Sequence, residues 1–124
     1  RRFEGGSANN ITLAGMGAAL DLLLEAGVDQ VWQHVDSLND RLVEGLVEAG
    51  ADVLSDRSPG GRSAIVVFSV PGIDAEELCS RLGDDGFVCA PRGGGVRVAP
   101  HGYNTIEEID RFLRSVEIHV PARR

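Results

Sequence analysis

The sequence contains no lysine, and all 12 of its basic residues are arginine. Chemistry that starts from a lysine amine, such as Schiff-base formation with a carbonyl compound, therefore cannot originate in this chain. The 19 acidic residues outnumber the basic ones and give a net charge of −7. Because nucleic acids and anionic membranes bind basic surfaces, this charge argues against both as partners.

Aromatic residues, cysteines and long apolar runs are also scarce. Aromatic side chains make up 5% of the residues, which is too few for platforms that stack nucleic-acid bases. The two cysteines, Cys79 and Cys89, have no metal-ligand spacing and are typical of reduced thiols in a cytoplasmic protein. No metal site, membrane-spanning run or signal peptide is predicted.

What remains is typical of one soluble globular domain of 124 residues, with 43% hydrophobic and 25% charged residues. Residues 1–10 are polar and glycine-rich and predict a loop, residues 11–120 form the domain, and residues 121–124 are expected to fray. The run Ile11–Ala26 predicts a helix that is apolar on nearly every face. Such a helix needs cover on every face, which other chains or a further domain would supply.

The rest of the chain predicts shorter elements in a clear order. Asp29 caps an amphipathic helix that ends at Gly50, and two capping boxes, Asp74–Glu77 and Thr105–Glu108, open two later helices. The predicted strands are Asp52–Ser55, Ser63–Val70, Phe87–Ala90 and Val96–Ala99, the last two joined by a turn at Gly93–Gly95. The order α-α-β-β-α-β-β-α predicts a two-layer α/β (α+β) sandwich, a small, mainly antiparallel sheet covered by helices.

The segment Gly93–Glu108 carries the most chemistry. It combines a glycine turn, a strand that holds Arg97, a bend at Pro100–Gly102 and a capped helix. A guanidinium matches a carboxylate, and a helix N-terminus favours negative charge, so the segment could bind an anion. The alternatives are a surface or ion-paired Arg97, and a turn in which His101 bonds to the backbone.

Two segments resemble a known family, the fold-type-I pyridoxal-phosphate enzymes of the class V aminotransferase and cysteine desulfurase group. Arg2–Asn9 is similar to the family's Arg-Phe-Glu-Ala-Gly-Thr-Pro-Asn, and Arg97–Thr105 is similar to Arg-(Val/Ile)-Ser-Pro-His-Phe-Tyr-Asn-Thr. The resemblance covers nearly the whole chain. It implies the C-terminal small domain of a dimeric enzyme about three times longer, with residues 1–10 leading from a missing cofactor domain that holds the lysine.

The resemblance also implies roles for three residues. Arg97 would bind the substrate carboxylate, His101 would contact substrate or cofactor, and Ser7 would reach the phosphate of pyridoxal phosphate in the partner subunit. The substrate would be an amino acid or amine, no catalytic residue would lie in this chain, and the chain alone would be inactive. Gly102 stands where the family commonly has phenylalanine, so the wall near His101 would be more open.

Two other interpretations remain open. The chain could be a stand-alone regulatory or protein-interaction module that uses its apolar first helix. The parent enzyme could instead be a lyase, epimerase or desulfurase on the same scaffold. Desulfuration is disfavoured, because the turn before Arg97 is too short for the family's cysteine loop and Cys89 falls within a predicted strand, where cysteine behaves as a small hydrophobe.

Overall fold

The computed structural model describes residues 9–120. It contains four helices and four strands in the predicted order α-α-β-β-α-β-β-α, which confirms the α/β class. The helices are α1 (Asn10–Ala26), α2 (Val28–Glu48), α3 (Ala75–Asp84) and α4 (Ile106–His119), and the strands are β1 (Asp52–Val53), β2 (Val66–Ser69), β3 (Ala90–Arg92) and β4 (Gly95–Val98). By its contacts the chain divides into two compact units, Arg1–Val31 and Trp32–Arg124.

The first unit consists mainly of α1. Asn9 caps this helix, since its side chain accepts a hydrogen bond from the Thr12 N–H at 3.1 Å. Gly27, with φ of 81°, ends the helix in a backbone conformation that favours glycine. No residue of α1 is buried, and its exposed large side chains are Ile11, Leu13, Met16, Leu20, Leu22, Leu23 and Leu24.

The second unit encloses its own core. Its sheet is antiparallel throughout, in the order β1-β2-β4-β3, so that β2 and β4 are the central strands. Apolar faces of α2, α3 and α4 pack with the inward side chains of these two strands. The core includes Leu38, Leu42, Leu46, Val66, Phe68, Leu78, Leu82, Val96, Ile109, Phe112, Leu113 and Val116. This packing confirms the predicted helical spacing of apolar residues in α2. The sheet forms one layer of the fold, and the helices form the other.

Several predicted boundaries are wrong, for physical reasons the structure shows. α2 begins at Val28, so Asp29 lies in its first turn and not at its cap. β1 is shorter than predicted because the chain turns after Val53, where the Leu54 and Ser55 amides both donate to the Val67 carbonyl. At α3 the predicted capping box is incomplete. The Asp74 carboxylate accepts hydrogen bonds from the Glu76 and Glu77 N–H groups, but the Glu77 side chain pairs with Arg81.

The third strand shows the largest shift, from the predicted Phe87–Ala90 to Ala90–Arg92. The Phe87 N–H closes the end of α3 by donating to the Leu82 carbonyl at 2.9 Å, and its ring meets Phe112 edge-on at 5.3 Å. The turn uses only Gly93 and Gly94, both with positive φ, as a two-residue hairpin requires. Gly95 therefore belongs to β4, opposite Arg92.

Candidate functional site

Arg97 lies in the middle of the central strand β4. Its neighbour Val96 is fully buried in the core, so alternation along the strand directs Arg97 to the opposite face of the sheet, where it is exposed. Its cross-strand partners are Val67 on β2 and Ala90 on β3. Among residues 9–120 no carboxylate lies within ion-pair distance of its guanidinium. The side chain is thus held on a rigid element with its donors exposed.

The bend that follows Arg97 is closed by hydrogen bonds between His101 and Asn104. The His101 N–H donates to the Asn104 Oδ1 at 2.8 Å, and the Asn104 N–H donates to the His101 carbonyl at 2.9 Å. His34 adds a bond from α2, donating from Nε2 to the Asn104 carbonyl at 2.9 Å. The His101 ring itself is exposed and stacks on Tyr103, with centroids 4.4 Å apart. The backbone of His101 therefore shapes the bend, and its ring stays accessible.

The start of α4 is capped by side chains of its own first turn. The capping box is confirmed, since the Glu108 N–H donates to Thr105 Oγ1 at 3.3 Å and the Thr105 N–H donates to Glu108 Oε2 at 2.9 Å. Asn104 also donates to that carboxylate at 3.0 Å. These bonds, with that from Asn104 the strongest, hold the pKa of Glu108 below its usual 4.5. The Glu108 carboxylate is thus committed to the cap of its own helix.

A cavity of about 370 Å³ opens beside the bend, but neither Arg97 nor His101 lines it. Phe87 and Phe112 form its apolar wall, and Arg111 lies over the Phe87 ring at 5.9 Å from the centroid. Glu108 is the acidic residue of its lining, and its carboxylate is committed to the helix cap. The cavity is therefore separate from the two residues that the sequence singles out, Arg97 and His101.

Two residues that the sequence analysis discussed remain, Ser7 and Cys89. Ser7 lies outside the described residues. Cys89 lies just before β3, not within a strand, and is half-buried. Burial, with the neighbouring Cys79 thiol adding to it, raises the pKa of Cys89 to about 12. At neutral pH this group is a thiol, whereas a cysteine nucleophile acts as a thiolate.

One cluster that sequence reasoning missed has the residue types of a hydrolase triad. Asp85 Oδ2 accepts from Ser115 Oγ at 2.5 Å and bonds His119 Nε2 at 2.9 Å. Because the carboxylate lies between the other two, the serine does not donate to the histidine, as nucleophile activation requires. The cluster ties the end of α3 to α4 across some thirty residues of sequence, a spacing that no local motif reveals.

Comparison with known proteins places these features in context. The family described as "Aminotransferase class-V" matches residues 1–112. A "Probable cysteine desulfurase" of Synechocystis is 28% identical over 94% of this chain and 31% of its own length. The "Uncharacterized aminotransferase YcbU" of Bacillus subtilis is 33% identical over 94% of this chain and 30% of its own length. The chain therefore spans about a third of the length of these relatives.

The solved structures agree with the sequence comparisons. The apo structure of a cysteine desulfurase from Thermococcus onnurineus NA1 superposes with a TM-score of 0.90 at 26% identity, over 96% of this chain and 33% of that one. Within residues 9–120 no single helix is long and apolar enough to cross a membrane, although α1 and α2 together pass by length and composition as a bent pair.

Proposed function

The chain belongs to the class V aminotransferase family, whose enzymes depend on pyridoxal phosphate, and we propose that it is the C-terminal small domain of such an enzyme, acting on an amino acid or amine. In this proposal Arg97 binds the α-carboxylate of the substrate. The observation that carries it is the placement of Arg97 on a central strand, exposed and without an acidic partner among residues 9–120.

The residues of this chain do not hold the cofactor by themselves. The sequence has no lysine, and Ser7, the position that the family resemblance directs to the cofactor phosphate, lies outside the described residues. When bound, pyridoxal phosphate supplies an electron sink for bonds at the substrate's α-carbon. The groups that hold it are assigned to the larger part of the enzyme, and the chain alone is expected to be inactive.

The contribution of this chain is to orient the substrate. A guanidinium binds a carboxylate through two parallel N–H···O bonds, which fix direction as well as position. β4 is paired on both sides, so the Arg97 backbone is held in place before the substrate arrives. The exposed His101–Tyr103 pair follows on the same segment and is proposed to contact the substrate.

The relatives named as probable cysteine desulfurases favour a second candidate, a lyase reaction on the same scaffold. Desulfuration needs a cysteine nucleophile, and the raised pKa and half-buried position of Cys89 do not support that role for it. We therefore favour transamination. We also propose a cytoplasmic homodimer, in which the exposed apolar residues of α1 are covered by the rest of the enzyme.

The test uses the longer enzyme that contains this chain. Arg97→Ala should lower kcat/KM for an amino acid about 10- to 100-fold, the range expected when a charged hydrogen-bond pair is lost. Turnover of the matching amine, which lacks the carboxylate, should change much less. Arg114→Ala, at an exposed position on α4, is the matched control. Equal losses on amino acid and amine, or no loss on either, would contradict the assignment.

A further inference from the structure

A second arginine lies on the same face of the sheet as Arg97. The register pairs Ala90 with Arg97 and Arg92 with Gly95, and residues directly opposite in an antiparallel pair share a face. Arg92 and Arg97 are therefore diagonal neighbours on one surface, roughly 7–8 Å apart at the backbone, within reach of long side chains. In the sequence Arg92 stands next to the glycine turn, and only the register shows that the two arginines share a face.

Among residues 9–120, neither arginine forms an ion pair with an acidic side chain. Their cross-strand partners, Gly95 and Ala90, are the two smallest residues, so neither blocks the space between the guanidiniums. The β1 residue on this face is Asp52, which pairs with Ser69 on β2. Three strand spacings separate β1 from β3, so Asp52 lies about 14 Å from the strand that holds Arg92. This distance is too long for an ion pair between Asp52 and Arg92.

Gly95 is fixed by packing and not only by the turn. A Cβ at this position would collide with the carbonyl oxygen of Phe68 and touch the Leu54 side chain. The half-exposed Leu54 therefore forms an apolar border beside the arginine pair. This surface thus combines two separate guanidinium groups, two small residues between them and an apolar side chain at the edge.

Two exposed like charges at diagonal sheet positions repel each other weakly, and an anion bound between them would remove that repulsion. One guanidinium binds one carboxylate through two parallel hydrogen bonds, so a second guanidinium can bind a second anionic group. We propose that Arg92 binds a side-chain carboxylate of the substrate, so that the enzyme takes a dicarboxylic amino acid. This inference rests on the proposed function, because Arg97 must already hold the α-carboxylate.

The experiment again uses the longer enzyme. The kcat/KM for glutamate and aspartate is compared with that for alanine in the parent enzyme and in Arg92→Ala, Arg92→Lys and Arg114→Ala. We expect the parent enzyme to prefer the dicarboxylic substrates, and Arg92→Ala to lower that preference about tenfold. Arg92→Lys should restore part of it, and Arg114→Ala should leave it unchanged. An unchanged preference in Arg92→Ala would overturn the inference.

A binding measurement separates this inference from the proposed function. Glutarate, a dicarboxylate, should raise the Tm of the enzyme more than propionate does, and Arg92→Ala should remove the difference. If no amino acid is turned over but this difference is found, the proposed reaction fails while the dicarboxylate site stands. If Arg92→Ala instead weakens the binding of pyridoxal phosphate and leaves the glutarate effect intact, Arg92 contacts the cofactor phosphate and the inference is wrong.

Discussion

Two regions of the chain use their apolar residues in different ways. In α1 these residues occupy nearly every face, and none is buried. From Trp32 onward they recur at helical or strand spacing on one face of each element and enclose a common core. Periodicity, and not apolar content, therefore indicates which part of a sequence completes its own core. An apolar helix without a polar face depends on cover from outside its own unit.

That interpretation agrees with the length of the relatives. The chain spans 31% of the Synechocystis protein, so most of the family's structure lies beyond it. We expect this remaining part, or a second subunit, to cover α1. The stand-alone module that the sequence left open is less favoured, because a self-sufficient domain rarely exposes so many contiguous leucines.

The largest expected effect comes from the same substitution made in both regions. Leu42→Ala removes a side chain that is 0% exposed, and it should lower the free energy of unfolding by about 2–5 kcal/mol. Leu22→Ala removes one that is 67% exposed, and it should change that free energy by no more than about 0.5 kcal/mol. Denaturant unfolding of the 124-residue chain at low concentration measures both. Comparable losses for the two variants would break the distinction between the regions.

A smaller effect, opposite in sign between the regions, is expected from glycine substitutions. A Cβ at Gly45 in α2 would collide with the Leu113 side chain, which is itself buried, so Gly45→Ala should cost about 1–3 kcal/mol. A Cβ at Gly15 in α1 meets no atom within 4 Å. Gly15→Ala should therefore strengthen the helix by up to about 1 kcal/mol. Circular dichroism with denaturant titration tests both, and destabilisation by Gly15→Ala would show that α1 packs closely at this position.

The smallest expected effect is a change in how the Tm falls at low pH. The pKa of Glu108 is lowered in the folded state by the bonds from Asn104 and Thr105, so its contribution to stability is complete above the usual 4.5. The contribution is lost as the pH falls through the lower folded value. The cap of α1 is the uncharged Asn9, which does not titrate. We expect Glu108→Gln to flatten the fall of Tm below pH 4.5, with Glu107→Gln as the exposed control. Identical acid profiles for both variants and the parent chain would refute the assignment.

Local sequence patterns predicted the features that depend on neighbours a few positions away. Helix periodicity, the Thr105 capping box and the glycine hairpin each rest on contacts within about four residues, and all three are found. The lack of lysine and the two segments that resemble the family were also readable without a structure. The fold class and the family followed from these features.

Tertiary structure alone decided what depends on residues far apart in sequence. The link from Phe87 to the end of α3 moved β3 toward the turn, and the resulting register placed Arg92 on the face that bears Arg97. Packing near Cys79, ten positions away, half-buries Cys89 and raises its pKa. These outcomes could not be predicted locally, because register, burial and pKa are set by packing between elements, and a shift of one residue along a strand moves every side chain to the other face.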